Sequence, residues 1–248
     1  MKQIKLLMGM PITVEISDSF ATEEIFDKVF AYLDYVDKKF STYKDESEIS
    51  QINNGKIKEK DYSEDMKEVW RLCEETKKLT NGYFDIKSKD GKYDPSGLVK
   101  GWAINNAAKI LQEQGFKNFY VEAGGDIQVC GKNSQGQNWR VGIRNPFNEE
   151  EIIKVVSLTD IGIATSGTYI RGQHIYNPHH SGELITEIVS LTVIGTDVYE
   201  ADRFATAAFA IGEKGIDFIE GLKGFEGYMI NKDGVATITS GFEKYVVK

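Results

Sequence analysis

Only two cysteines, Cys73 and Cys130, occur among the 248 residues of this chain. They stand far apart, and no C-x-x-C or Cys/His spacing accompanies them. This excludes a disulfide framework and indicates no zinc site. Because cysteine is commonly buried, we predict that both are reduced, structural thiols.

Long apolar runs do not occur either. The N-terminal stretch MKQIKLLMGMPITVEI contains a short apolar patch that Pro11 and Glu15 interrupt, without a small-residue cleavage site or a lipobox cysteine. No later segment has the roughly 18–20 apolar residues that a helix needs to cross a bilayer. We therefore predict no membrane insertion and a cytoplasmic location.

Positive charge is in the minority, since 30 Lys and Arg against 38 Asp and Glu give a net charge of −8. The summed field repels polyanions, which argues against nucleic acid or an anionic membrane surface as the main partner. A ligand that carries phosphate would need a metal ion, a few placed lysines or backbone N–H groups at helix starts.

No Pro- or Ser-rich linker divides the chain, which contains only four prolines. Hydrophobic residues make up 41% and charged residues 27%, a composition typical of folded globular proteins. The length lies within the range of one large domain. We predict that residues 1–248 form a single domain, with two intertwined lobes as the alternative.

Hydrophobic spacing predicts strands and helices in irregular alternation. The predicted strands are at 10–16, 117–131 with a glycine corner, 139–146, 152–158, 161–165, 188–195 and 235–239, and the predicted helices are at 22–39, 65–79, 99–114, 199–211 and 214–222. Because regular βαβ repetition is absent, the pattern favours an α+β fold with a mixed sheet over a doubly wound Rossmann fold.

Asp202 and Thr206 lie four residues apart in a predicted helix, so their oxygens are expected on one helix face. This pair could hold a hard cation such as Mg²⁺, which takes oxygen ligands and keeps several waters. The alternative is that Asp202 interacts favourably with the helix dipole and that Thr206 bonds to a preceding carbonyl of its own helix.

A second cluster, residues 164–178, places hydroxyl side chains, Arg171 and His174 within turns bounded by glycine and proline. His174 could serve as a general base, because the unperturbed pKa of histidine is about 6.5. The alternative is a hydrogen-bonded structural histidine. His179 and His180 stand in a polar turn and are expected to be solvated.

Two further segments carry weaker signals. Paired glycines before Asp126 allow either close approach of the backbone to a ligand or a simple bulge. The segment 94–101 joins a turn to a helix start and offers N–H groups and the Lys100 ammonium to an anion, although an ordinary helix cap has the same pattern.

Seven motifs follow one another along nearly the whole chain. They are Met8-Gly9-Met10, Phe40-Ser41-Thr42-Tyr43 with Ser47, Ile49, Ser50, Ile52 and Asn53, Gly82-Tyr83-Phe84-Asp85, Asp94 through Trp102, Gly124-Gly125-Asp126-Ile127, Ala164 through Pro178, and Ala201 through Ala207. In this order they resemble the ApbE family of FAD:protein FMN transferases.

This resemblance implies a T-fold-like α+β architecture with a mixed sheet and packed helices. It also implies that FAD binds in a cleft, that Mg²⁺ bridges its pyrophosphate through Asp202, Thr206 and the carbonyl of Gly97, and that His174 is the catalytic base. The residues assigned to FAD binding are Met8, Tyr43, Tyr83, Phe84, Asp85, Asp94, Lys100, Gly124, Gly125, Asp126, Ser166, Arg171 and Tyr176.

The chain departs from the family pattern after Asp85, where the family usually continues with Pro-Thr-Val-Gly and a long segment. Only IKSKDGKY follows here, so we expect a shortened lobe or lid. The implied activity is transfer of FMN from FAD to a Ser or Thr of a cytosolic acceptor flavoprotein. The alternatives are a Mg²⁺-dependent FAD pyrophosphatase and a flavin-binding protein without turnover.

Overall fold

The computed structural model of the protein describes residues 1–88, 90–168, 175–180 and 183–247. These residues contain twelve β-strands and six α-helices. In chain order they are β1 (Lys2–Leu7), β2 (Met10–Ile16), α1 (Glu23–Phe40), α2 (Glu48–Asn53), α3 (Glu64–Leu79), α4 (Ser96–Glu113), β3 (Phe119–Ala123), β4 (Asp126–Cys130), β5 (Trp139–Asn145), β6 (Asn148–Leu158), β7 (Gly162–Gly167), β8 (Tyr176–Asn177), β9 (Glu183–Leu184), β10 (Ile188–Gly195), α5 (Val198–Ile211), α6 (Gly215–Glu220), β11 (Glu226–Asn231) and β12 (Ala236–Ile238).

Eight strands form the main sheet, in the order β1-β2-β3-β4-β7-β10-β11-β12. The predicted α+β class is confirmed. Every pairing in this sheet is antiparallel, however, where the sequence predicts mixed directions. A single crossover helix is typical of parallel neighbours. Here four helices connect β2 to β3 and two helices connect β10 to β11. Each connection thus contains an even number of helices, which lets the chain re-enter the sheet antiparallel to the strand that it left.

The sheet is covered on both faces. Helices pack on one face, and the hairpin of β5 and β6 packs on the other, where it encloses a separate apolar cluster with β4, β7 and β11. Strand β10 is buried on both sides, since Leu191 and Val193 join the cluster beneath α5 whereas Ile194 joins the hairpin cluster. This explains the nearly continuous apolar sequence of β10.

Helix α1 buries the stripe that its spacing predicts, including Ile25, Val29, Leu33 and Val36. Strands β2 and β10 begin and end at the predicted residues. Five elements were not predicted from the sequence, namely β1, α2, β8, β9 and β11, of which β8 and β9 have only two residues each. Strand β1 lacks clear alternation, α2 has only six residues, and β11 is a short apolar run that periodicity assigns poorly.

Helices α4 and α5 form the centre of the helical layer. Helix α5 is rich in buried alanine, and Ala201, Ala205 and Ala208 join the apolar cluster with β7 and β10, so α5 lies close to the sheet. Asp197 caps α5 by accepting a hydrogen bond from the N–H of Glu200 at 2.9 Å. Within the described ranges, no helix combines the length and apolar character needed to traverse a bilayer.

Candidate functional site

Helices α4 and α5 bring Gly97, Asp202 and Thr206 together. The hydroxyl of Thr206 donates to the carbonyl oxygen of Gly97 at 3.1 Å. One turn away on both helices, the N–H of Gly101 donates to Oδ2 of Asp202 at 2.8 Å. The two helices therefore pair in antiparallel fashion, and Asp202 and Thr206 both face α4, as the spacing predicts.

These contacts contradict the local alternative for Thr206. Thr206 donates to a carbonyl of α4 rather than to a preceding carbonyl of its own helix. The cap of α5 is Asp197, whereas the Asp202 carboxylate is buried against Gly101 of the other helix. The shared helix face is thus confirmed, while metal binding stays a prediction.

A buried cluster of three charges lies at this helix contact. The ammonium of Lys100 is 2.7 Å from Oδ2 of Asp126 and 3.9 Å from Oδ1 of Asp202. Burial raises the pKa of the Asp202 carboxyl, and the nearby Asp126 carboxylate raises it further, whereas Lys100 and the Gly101 N–H act to lower it. Two carboxylates face one ammonium here, so the cluster favours an additional cation.

The donor set suits Mg²⁺ chemically, because it consists of a carboxylate, a hydroxyl and a carbonyl oxygen. In the part of the chain that the structure describes, no group of three or more His, Cys, Asp and Glu is placed to hold a metal ion. The three oxygens would therefore need water or ligand phosphate to complete a coordination shell. This is consistent with a metal that binds together with a phosphorylated substrate.

Phe84 lies directly behind the predicted metal ligands. It is buried, and a Cβ placed on Gly97 would come within 3.5 Å of its ring and 3.0 Å of the Thr206 methyl. The predicted FAD residue Phe84 is therefore next to Gly97 and Thr206. Its role in binding FAD stays a prediction.

The short segment between α3 and α4 folds into a small hairpin, closed by a bridge between Lys87 and Tyr93. Asp85 forms an ion pair with Lys77 at 2.7 Å, and Asp94 accepts a hydrogen bond from the N–H of Ser96 at 3.0 Å, where α4 begins. The segment therefore connects two predicted FAD residues to the start of the helix that carries Gly97.

Residues from the far end of the second cluster pack against this segment. The hydroxyl of Tyr176 donates to the carbonyl of Lys87 at 3.2 Å, and partial burial together with the Asp85 and Asp94 carboxylates raises the pKa of Tyr176. The ring of Tyr83 contacts the ring of His179, with centroids 4.5 Å apart. Tyr83, Asp85, Asp94 and Tyr176 thus share one region.

His179 was expected to be solvated, and this is only partly right. Its ring is exposed, but Nε2 is 2.8 Å from the carbonyl oxygen of Asn81 and the ring lies against Tyr83. Asn53, which stands out in the sequence only as part of a motif, bonds through its side-chain amide to both the N–H and the carbonyl of Tyr93. Such contacts between distant residues leave no local sequence signal.

A polar cleft of about 380 Å³ opens beside the hairpin of residues 85–94. Its lining consists of Thr42, Asp45, Ser50, Asn53, Asn54, Ser88, Asp90, Lys92, Tyr93 and Asp94. Tyr43 follows the lining residue Thr42 and is 97% exposed, so it contacts little of the protein. The cleft offers space for a polar ligand on the side of the chain where FAD binding is predicted.

Two tight turns lie side by side at one end of the sheet. Met8 and Gly9 connect β1 to β2 with φ of 54° and 73°, and Gly124 and Gly125 connect β3 to β4 with φ of 59° and 91°. A Cβ on Gly124 would come 2.7 Å from the sulfur of Met10, so a side chain cannot be accommodated there without movement. The predicted FAD residues Met8, Gly124 and Gly125 are therefore neighbours.

The remaining predicted residues fall into three groups. Ser166, in β7, places its hydroxyl 3.5 Å from that of Thr206, which brings it to the candidate metal ligands. Arg171 and His174 lie outside the described residues, so their predicted roles in FAD binding and catalysis have no structural test. Lys100 and Asp126 form the buried ion pair described above.

Close packing of α4 on α5 depends on Gly101. A Cβ there would lie 2.6 Å from Cβ of Asp202 and 2.8 Å from the carbonyl oxygen of Val198. We expect Gly101→Ala to lower the free energy of unfolding by about 1–3 kcal/mol, because the added methyl forces the helices apart. In a chain of this size this lowers Tm by roughly 2–12 °C.

Thermal unfolding followed by circular dichroism measures this effect. Glu113→Ala, at an exposed position of the same helix, is the matched control and should leave Tm nearly unchanged. An unchanged Tm for Gly101→Ala would contradict the close helix contact.

Comparison with known proteins supports the resemblance on which the site residues were assigned. A family model described as the ApbE family matches residues 8–90 and 87–229. A protein from Vibrio cholerae named FAD:protein FMN transferase is 34% identical over 130 residues, which cover 49% of this chain and 39% of that protein. One of the same name from Salmonella typhimurium is 30% identical over 150 residues, covering 57% and 43%. The aligned stretch thus spans about two fifths of these relatives' length.

Solved structures share the fold over a greater length. The ApbE protein from Thermotoga maritima superposes with a TM-score of 0.87 at 20% identity, covering 100% of this chain and 99% of that one. The flavin transferase ApbE from Vibrio cholerae gives 0.83 at 23% identity, covering 99% and 98%. At this level of identity the similarity establishes the architecture, which agrees with the fold expected from the motifs.

Proposed function

The chain belongs to the ApbE family, and from this premise we propose that it is a Mg²⁺-dependent flavin transferase. It moves the FMN half of FAD to a Ser or Thr hydroxyl of an acceptor flavoprotein and releases AMP. The proposal takes residues 1–248 as one catalytic domain, and a cytoplasmic location of the acceptor remains a prediction from the sequence.

One observation carries the proposal. Asp202, Thr206 and the carbonyl of Gly97 lie at one contact between α4 and α5, beside a buried charge cluster that favours a cation. Mg²⁺ bound there would neutralise the diphosphate of FAD and act as a Lewis acid toward the oxygen of the leaving AMP. This accounts for how a chain with a net charge of −8 can hold an anionic substrate.

The protein's own residues position the reactants, since phosphoryl transfer depends mainly on alignment and on charge neutralisation. In the proposed reaction the acceptor oxygen forms a bond to the FMN-side phosphorus, and the bond from this phosphorus to the oxygen of AMP breaks. His174 takes the proton of the acceptor hydroxyl. Phe84 and Ser166 lie close to the candidate metal ligands, and Tyr176 contacts the segment that leads to α4. In the proposal these three residues belong to the substrate site.

The proposal is tested by incubating the protein with FAD, Mg²⁺ and a candidate acceptor flavoprotein, and by measuring the intact mass of the acceptor together with AMP. We expect covalent gain of FMN and an equal amount of AMP, both prevented by a chelator. FMN released into solution at a rate that no acceptor increases would instead indicate an FAD pyrophosphatase. Retention of FAD without any AMP would indicate a binding protein that has no turnover.

A further inference from the structure

Lys100 and Asp126 form an ion pair directly behind the candidate metal ligand Asp202. On the basis of the proposed function, we propose that they are positioning residues for Asp202. Asp126 holds the ammonium of Lys100 away from Asp202, so that one oxygen of Asp202 stays available to a divalent cation. Lys100 would then act within the protein rather than as a contact to the phosphates of FAD.

The hydrogen bonds of the two carboxylates support this division of roles. Asp126 is held at Oδ1, which accepts a hydrogen bond from the N–H of Thr165 at 3.1 Å, while its Oδ2 forms an ion-pair contact with the Lys100 ammonium at 2.7 Å that lacks hydrogen-bond geometry. Asp202 is held through Oδ2, which accepts from the N–H of Gly101 at 2.8 Å. Its Oδ1 has the ammonium only at 3.9 Å, beyond hydrogen-bond distance.

Burial makes the pair unsuited to an external ligand. The side chain of Lys100 is 7% exposed and that of Asp126 is 0% exposed. Moving the ammonium toward a phosphate would leave the Asp126 carboxylate buried without its counter-ion, which costs several kcal/mol. The ammonium therefore stays with Asp126, which is anchored by β7 through Thr165.

Charge balance explains why the pair matters for Asp202. Asp126, Asp202 and Lys100 together carry a formal charge of −1, which a divalent cation reverses to +1. If Asp126 lost its charge, the ammonium would be free to pair with Asp202, and the three groups would sum to zero. A cation would then have to displace an ion pair, and its affinity would fall.

The test measures Mn²⁺ affinity by isothermal titration calorimetry on the whole chain without FAD, alone and with inorganic pyrophosphate. We expect Asp126→Asn to weaken Mn²⁺ binding about 10–100-fold, as is typical when a group that orients a metal ligand is lost. The double variant Lys100→Met with Asp126→Asn removes the competing ammonium and restores the charge of −1. We expect its Mn²⁺ affinity to return to within a few-fold of the unsubstituted protein.

Circular dichroism and Tm of each variant separate positioning from a merely structural role, because a folded Asp126→Asn protein that binds Mn²⁺ weakly has lost the positioning and not the fold. The double variant leaves Asp202 as the one charged group of the cluster, so circular dichroism and Tm are used to check that it is folded before the titration. Glu200→Gln removes a carboxylate from another ion pair of α5 and is the matched control, with Mn²⁺ affinity expected to stay unchanged.

Three outcomes are decisive against the inference. Equal affinity of Asp126→Asn and the unsubstituted protein would overturn the positioning role and leave the metal site intact. Lost binding in a folded double variant would overturn it too, since the pair would then do more than balance charge. If the unsubstituted protein bound no Mn²⁺ with or without pyrophosphate, the proposed metal site and the proposed function would fail together with it.

Discussion

Replacing Asp202 by asparagine is expected to slow FMN transfer roughly a hundredfold or more. A bound metal contributes several kcal/mol of charge stabilisation in the transition state, and each 1.4 kcal/mol is worth a factor of ten. The asparagine oxygen can still accept the hydrogen bond from the N–H of Gly101, so the α4–α5 contact should survive. The loss would therefore come from the missing charge and not from unfolding.

The experiment compares initial rates of FMN transfer at saturating FAD over a range of Mg²⁺ concentrations, together with Mn²⁺ affinity measured by calorimetry. We expect both to fall in Asp202→Asn while Tm stays close to that of the unsubstituted protein. Glu200→Gln serves as the control on the same helix, because its carboxylate pairs with Arg203 at 2.7 Å and not with the candidate metal ligands. Normal transfer by a folded Asp202→Asn protein would contradict the metal site.

Replacing His174 by alanine is expected to block transfer while FAD and Mn²⁺ still bind. General base catalysis by a positioned side chain typically contributes about 10²–10⁴-fold, and the rate should fall by that factor. The assignment comes from the family resemblance, since His174 lies outside the described residues. Its neighbours in sequence support it, because Ser166 and Tyr176 on either side belong to the candidate site.

The readout is the intact mass of the acceptor over time, with FAD affinity determined separately by fluorescence quenching. His180→Ala is the matched control, since His180 is an exposed histidine from the same part of the chain and has no assigned role. If the His174→Ala protein transferred FMN at the rate of the control, another group would have to be the base. If FAD binding fell in parallel with the rate, His174 would be a substrate contact.

The four substitutions are expected to have different effects on metal affinity, transfer rate and stability. Asp202→Asn should lower metal affinity and rate together, whereas His174→Ala should lower the rate alone. Gly101→Ala should reduce stability through the helix contact. Asp126→Asn is distinguished from all three because a second substitution, at Lys100, should reverse its effect on metal affinity.

Local pattern was enough to predict much of this protein. Spacing of apolar residues identified β2, β10 and the stripe of α1 that includes Val29, because burial of one face follows from the backbone repeat. Helical geometry placed Asp202 and Thr206 on one face for the same reason. The order of the motifs identified the family.

Which residues meet across the fold depended on the tertiary structure. Thr206 bonds to Gly97 over 109 positions of sequence, and Asp202 to Gly101 over 101. Lys100 shows this most clearly. A lysine near a helix start predicts an anion-binding site, whereas the tertiary structure buries this lysine against Asp126. Backbone periodicity is a local property, whereas the partner of a buried charge is set by elements that become neighbours only when the chain has folded.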